Sequence, residues 1–282
     1  MEGDIMYLTG FTDEAGNDLD TQIKATRELG WKHIEARKIG GENLASLDDA
    51  GFDQLQAKLD EAGVKINCYG SGVANWATSI TKSPDSSYEE MRAAGPRMNK
   101  LGIKMARVMS FPVPEEDYAD NEKHYDEVIK RMKEITRIAA DHNVICVHEN
   151  CSGWGGLSFE HTLRMVEGVD SPNFKLVYDT GNPVSHPDVR GPAPYKKQNS
   201  WEFYQAVKDH VIYVHIKDAR AEGDSHVYTF PGEGDGDVKR IVKDLLENGY
   251  DGGFSMEPHM KVLAHDSSVT AEATAQYDNY VE

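Results

Sequence analysis

The chain has 282 residues, 39% of them hydrophobic, enough for one large core, and no apolar run approaches the roughly 18–20 residues that span a bilayer. Its 30 basic residues against 48 acidic ones leave a net charge of −18, which argues against a nucleic-acid partner because a phosphate backbone requires a basic footprint. The opening MEGDIMYLTGF lacks a basic segment followed by an apolar stretch, so no signal peptide is expected and the expected location is cytoplasmic.

Short β-rich runs alternate with amphipathic helical stretches along the whole chain. IMYLTGF (5–11) precedes the helix DLDTQIKATRELG (18–30), with Gly30 as its stop signal. HIEAR (33–37) precedes SLDDAGFDQLQAKLDEAG (46–63), where Ser46 is the expected N-cap, with Asp49 three residues on. VKINCYG (64–70) leads into SYEEMRAAGPRMNKLG (87–102), in which Pro96 is expected to kink or restart the helix. IKMARVMS (103–110) and HYDEVIKRMKEITRIAADHN (124–143) form the fourth unit. VICVHEN (144–150) with TLRMVEGVD (162–170), FKLVYD (174–179) with WEFYQAVKDH (201–210), and VIYVHIKD (211–218) with DVKRIVKDLLENG (237–249) supply the fifth to seventh. GGFSMEPH (252–259) is the eighth strand and SVTAEATAQYDNYVE (268–282) the last helix.

Eight strand–helix repeats predict an α/β fold, a single (β/α)8 TIM barrel occupying residues 1–282 as one domain. A doubly wound sheet also alternates, but it offers no reason for functional residues on four consecutive strands. The long connections 183–200 and 219–236 follow strands six and seven, where loops shape substrate pockets. Cys68, Cys146 and Cys151 have no CxxC spacing and are expected as buried thiols rather than metal ligands.

Four of these strands end on chemically active residues: Glu149, Asp179, His215 and Glu257, separated by 30, 36 and 42 residues. Each separation is about one strand, one helix and two loops, so the four should meet at the carboxyl ends of adjacent barrel strands. Three carboxylates and one imidazole form a hard, oxygen-rich set suited to one divalent metal ion, Mn²⁺, Mg²⁺ or Co²⁺, with Zn²⁺ admissible. Without the metal, repulsion among three inward carboxylates should leave at least one protonated. Period-2 alternation puts Val147 and Ile145 inward with Glu149, leaving His148 and Cys146 outward. It likewise puts Tyr213, Val211 and Lys217 inward with His215, and Ser255 and Gly253 inward with Glu257.

HEN at 148–150, DTGN at 179–182, HIKD at 215–218, PGEG at 231–234 and GYDGGFSMEPH at 249–259 resemble the sugar phosphate isomerase/epimerase family. This is the xylose isomerase-like barrel group of ketose 3-epimerases, inosose isomerases and dehydratases, and hydroxypyruvate isomerase. The order and spacing match across the second half of the chain, and HIEAR extends the likeness more loosely into the first. The resemblance implies that Glu149, Asp179, His215 and Glu257 hold the metal, with manganese favoured. It also implies that Glu149 and Glu257 are catalytic, an acid/base pair on opposite faces of a small carbohydrate substrate. The implied activity is isomerisation or epimerisation of a keto-sugar or polyol derivative. A lyase or dehydratase would start from the same proton abstraction, and a non-catalytic sugar-binding barrel is a third reading. Barrels of this group often pair, so a homodimer is an expected assembly.

Some epimerases of the family carry His three residues after the strand-six Asp, where this chain has Asn182. They carry Arg six residues after the strand-seven His, where this chain has Ala221 beside Arg220. Asn182, Lys217 and Arg220 are therefore the candidate substrate contacts there. Trp154, just past Glu149, offers an aromatic face to a sugar, and His259, two residues past Glu257, shares its inward direction. Glu35 and Arg107 are expected to pair inside the barrel, with Arg37 nearer the mouth. The segment Gly232–Gly236 reads as a flexible lid or tight turn, since its acids would repel phosphate and no lysine follows at P-loop spacing.

Overall fold

A computed structural model describes residues 6–223, 225–260 and 273–282. Eight parallel strands carry the fold: β1 (Tyr7–Gly10), β2 (His33–Ala36), β3 (Lys65–Gly70), β4 (Met105–Val108), β5 (Ile145–Glu149), β6 (Phe174–Asp179), β7 (Val211–Ile216) and β8 (Gly253–Met256). They pair in the order β1-β8-β7-β6-β5-β4-β3-β2, and β1 lies beside β2, so the sheet is a nearly closed barrel. This is the expected (β/α)8 architecture. Helices follow the strands around the outside, from Leu19–Glu28 after β1 to Ala273–Val281 after β8. Residue 5 of the predicted first strand and residues 268–272 of the predicted last helix lie outside the described residues.

Alternation explains the core. Cys68, Val147, Val177 and Tyr213 cluster inside the barrel, whereas Cys146 joins the apolar layer between strands and outer helices. Both cysteines are fully buried free thiols. Gly253 faces the crowded axis: a Cβ there would meet the Tyr7 and Tyr213 rings at 2.6–2.8 Å.

Three local expectations are corrected. Val211 packs outward with Leu176, Phe203 and Val214 rather than inward. The β6–β7 register steps from Leu176↔Val211 to Val177↔Tyr213, so Ile212 is skipped and the alternation is reset. The second helix starts at Asp49, capped by Asp48 rather than Ser46, whose hydroxyl is engaged with Glu42 and Asn43. Pro96 lies inside one continuous helix, Asp85–Leu101. It is exposed, as is Arg92 one turn earlier, so the carbonyl that loses its N–H partner is on the solvent side.

The 219–236 connection is not featureless. Asp218–Glu222 and Ser225–Thr229 form an antiparallel ribbon beyond β7. The glycine segment after it folds as a tight turn around the Asp218 carboxylate, which accepts backbone N–H bonds from Gly232, Gly234, Gly236 and Ala219 at 2.7–3.0 Å.

Candidate metal centre

The strand register brings the four expected residues together at the carboxyl end of the barrel. Asp179 is paired with His215 across β6–β7, and Ser255, two residues before Glu257, is paired with His215 across β7–β8. One side-chain oxygen or nitrogen from each of Glu149, Asp179, His215 and Glu257 lies within 4.8 Å of the others, and all four residues are buried. Asp179 is oriented by the N–H groups of Gly181 and Asn182, which donate to Oδ1 at 2.9 and 2.7 Å. Its Oδ2 lies 3.0 Å from the Lys217 ammonium and otherwise makes no hydrogen bond. His215 Nδ1 is also buried without a hydrogen bond, 3.5 Å from Glu257 Oε2 and 3.9 Å from Glu149 Oε1.

A buried polar atom without a hydrogen bond costs about 1–3 kcal/mol if nothing engages it; Asp179 Oδ2 has the Lys217 ammonium, and His215 Nδ1 faces the carboxylates at 3.5–3.9 Å. Their chemistry, with two further carboxylates, fits a hard divalent cation. The neighbours of the cluster are cations. Arg107 donates to Glu149 Oε2 at 3.3 Å, Arg37 to Glu257 Oε1 at 3.2 Å, and Lys217 to Glu257 Oε2 at 3.4 Å. The Phe11 ring lies under both guanidinium groups, 4.5 Å from Arg37 and 5.7 Å from Arg107, and meets His215 edge-on.

These charges decide the protonation. Burial opposes ionisation of Glu149, but His215 and Arg107 overcome it and hold the carboxyl down at about 2. Burial also opposes ionisation of Glu257, and Lys217 with His215 brings it well below the usual range. Asp179 is pushed up to about 6 by burial, Lys217 pulling the other way. Burial disfavours the His215 imidazolium, yet Glu35 and the cluster carboxylates raise it well above its ordinary value. The repulsion expected to leave one carboxylate protonated acts on Asp179, which Glu257 and Glu149 help to raise, while Lys217, Arg107 and His215 hold the two glutamates ionised.

The remaining candidates divide. Asn182 is buried and donates from Nδ2 to Glu149 Oε1 at 2.8 Å, and Lys217 is buried between Asp179 and Glu257. His259 sits at the mouth with its Nε2 4.0 Å from Glu257 Oε1, at φ +55° and stacked on Tyr228 at 4.4 Å. Arg220 is exposed on the ribbon and donates to the Glu233 carbonyl, apart from the cluster. Trp154 is fully buried rather than open to a ligand. Its Nε1 donates to the Asn121 carbonyl, and Tyr125, His161 and Arg164 pack around the ring.

Glu35 and Arg107 do not pair with each other in the hydrogen-bonded network. Arg107 serves Glu149, while Glu35 accepts from the hydroxyls of Tyr213 and Ser255 at 2.7 and 2.6 Å and faces His215 Nε2. Arg37 does lie nearer the mouth, bidentate on Asp13 and also in contact with Glu14. Asp13 and Glu14 were not singled out by sequence, because nothing in their spacing marks them.

Residues 23–277 match the family model described as xylose isomerase-like TIM barrel. A curated relative, an inosose dehydratase of Clostridium botulinum, is 26% identical over 268 residues, covering 81% of this chain and 87% of its own. Among solved structures, a D-tagatose 3-epimerase-like protein superposes with a TM-score of 0.69 at 20% identity, covering 90% of this chain and 91% of its own. A xylose isomerase-like TIM barrel protein from Mycobacterium smegmatis, in complex with magnesium, superposes with a TM-score of 0.68 at 18% identity, covering 98% and 94%.

Proposed function

The chain belongs to the xylose isomerase-like TIM barrel family, and from that premise we propose a divalent-metal-dependent isomerase or epimerase of a keto-sugar or polyol derivative. The observation that carries the reading is the convergence of Glu149, Asp179, His215 and Glu257 within 4.8 Å, with an unbonded His215 Nδ1 facing the shared centre. These four residues would hold the cation, manganese being the favoured ion. When bound, it polarises a substrate carbonyl and the neighbouring hydroxyl and so acidifies the C–H between them. Glu257 takes that proton as an ionised carboxylate, steadied by Arg37 and Lys217. Epimerisation requires Glu149 to take a proton from water and deliver it to the opposite face of the same carbon while Glu257 gives its own to water; return by Glu257 to the adjacent carbon gives isomerisation. Lys217, Asn182 and His259 lie beside Glu257 and Glu149 and are proposed to contact substrate hydroxyls.

Elimination is the second reading. It is favoured by the inosose dehydratase relative and by Asn182, whose amide holds Glu149 where some epimerases place a histidine. A reaction in which Glu257 alone moves the proton and a β-hydroxyl leaves as water would need no second mobile base.

The test is turnover of keto-polyols in D₂O with Mn²⁺. Solvent deuterium in an isomer of unchanged formula supports the first reading, and a product lighter by one water supports the second. Glu257→Gln should lower kcat by about 10²–10⁴-fold in either case. Metal and sugar binding without turnover, unaltered by Glu257→Gln, would refute both.

A further inference from the structure

Glu35, at the middle of β2, is fully buried on the barrel axis beside the cluster yet is not one of its four members. Its Oε2 accepts from the Ser255 hydroxyl at 2.6 Å and the Tyr213 hydroxyl at 2.7 Å. His215 Nε2 lies 3.1 and 3.2 Å from its two oxygens. Tyr213 is itself held by Asn67, which donates to its hydroxyl at 3.0 Å. The opposite ring nitrogen of His215, Nδ1, is the buried atom without a hydrogen bond that faces Glu149 and Glu257.

We propose that Glu35 is a positioning residue that fixes His215 with its proton on Nε2, so that metal affinity at the cluster depends on a carboxylate that does not touch the metal. A cation held at Nδ1 would displace that atom's proton from the imidazolium and leave the ring one N–H, and a carboxylate that accepts from two hydroxyls presents acceptor oxygens to it. Beside Glu35 that N–H must be at Nε2, which leaves the Nδ1 lone pair for the cation. The hydroxyls of Tyr213 and Ser255 both donate to Oε2, so either one alone still holds the carboxylate against the ring. Removing such an outer partner of a metal-ligating histidine costs 10–100-fold in metal affinity.

The inference rests on the metal reading above, and the experiment separates the two. Mn²⁺ affinity is measured by titration calorimetry on the wild-type chain, Glu35→Gln, Tyr213→Phe and Ser255→Ala, with the melting temperature of each recorded without metal. The amide of Glu35→Gln cannot accept from His215 and from both hydroxyls together, so Mn²⁺ binding should weaken by about 10–100-fold. Tyr213→Phe and Ser255→Ala keep the carboxylate and should bind within about threefold of wild type, even where their melting temperatures fall as far as that of Glu35→Gln. Affinity that follows melting temperature across the three variants would make Glu35 merely structural and overturn the inference. Undiminished Mn²⁺ binding by Glu35→Gln would overturn it and leave the metal reading intact. No Mn²⁺ binding by the wild-type chain would overturn both. Should Glu35→Gln not fold, imidazole ¹⁵N spectra of the wild-type Mg²⁺ form decide: a proton on His215 Nε2 supports the assignment and one on Nδ1 refutes it.

Discussion

Asp218→Asn should destabilise the protein by about 3 kcal/mol without changing any side chain of the cluster. Asp218 is buried directly after Lys217 and is the anchor around which residues 232–236 turn. Its Oδ2 accepts from Gly232 and Gly234 at 2.7 and 3.0 Å, and its Oδ1 from Gly236 and Ala219 at 2.8 and 2.9 Å. The two later glycines are required by this close approach. A Cβ on Gly234 would lie 2.4 Å from the Ala219 carbonyl oxygen, and one on Gly236 would lie 2.7 Å from Asp218 Oδ1.

An asparagine can place its oxygen toward only one pair of these donors, and its NH₂ then faces the other pair. Two hydrogen bonds to a charged group are lost, each worth roughly 1.5–3 kcal/mol. The upper sum of about 6 kcal/mol is reduced by water, because the Gly232 and Gly234 bonds are only partly buried. Urea unfolding of wild type and Asp218→Asn measures the difference, and limited proteolysis reports whether residues 230–237 have loosened. Asp218→Ala, which strands all four donors, should be worse. An Asp218→Asn protein within about 0.5 kcal/mol of wild type and equally resistant to protease would refute the reasoning, since that is the range of neutral surface changes.

Acid should destabilise the fold through two buried histidines, His148 and His161, which burial holds down to about 3 and about 4. The unfolded chain takes up these protons near pH 6.5, so their contribution is complete above that pH and is lost as pH falls toward 4. The loss is roughly 2 kcal/mol per histidine near pH 5, and urea unfolding of His161→Gln should show a pH slope reduced by about one proton. A slope equal to wild type would count against the assignment. Trp154→Phe removes the donor to the Asn121 carbonyl and should cost about 1–3 kcal/mol of stability while leaving Mn²⁺ affinity unchanged; altered affinity would contradict its packing role. Tyr228→Ala removes the ring stacked on His259 and should raise KM for a keto-polyol about tenfold, equivalent to about 1.4 kcal/mol, with kcat nearly preserved. A fall in kcat with unchanged KM would show that the stack serves the chemistry instead.

The four cluster residues were legible because two independent regularities agree on them. The strand–helix repeat fixes their separations, and period-2 alternation fixes their direction. Both are local properties, and a hydrophobic run followed by an amphipathic helix states them directly. Val211 shows the limit: the skipped Ile212 arises in the pairing with β6, so a pattern read along β7 alone puts Val211 on the wrong side. Ser46 and Asp48 show another, since two good capping residues stand within one turn: the Ser46 hydroxyl is engaged by Glu42 and Asn43, and Asp48 accepts the Gly51 N–H.

The partners of the cluster residues were not legible for a different reason. Glu35 meets Ser255 across 220 positions and Tyr213 across 178, and Arg37 meets Glu257 across 220. Such pairings exist only because the barrel nearly closes, bringing β1 and β2 back beside β8. Within the strand pattern, Glu35 and Arg107 are simply two opposite charges pointing inward, and pairing them is the economical guess. The closed sheet instead offers each a better-placed partner: a carboxylate of the cluster for the arginine, and an imidazole with two hydroxyls for the glutamate. Residue type and direction can therefore be read along one strand. Which inward charge meets which cluster residue is a property of the ring of strands, and that choice holds the glutamates ionised and turns His215 Nδ1 toward them.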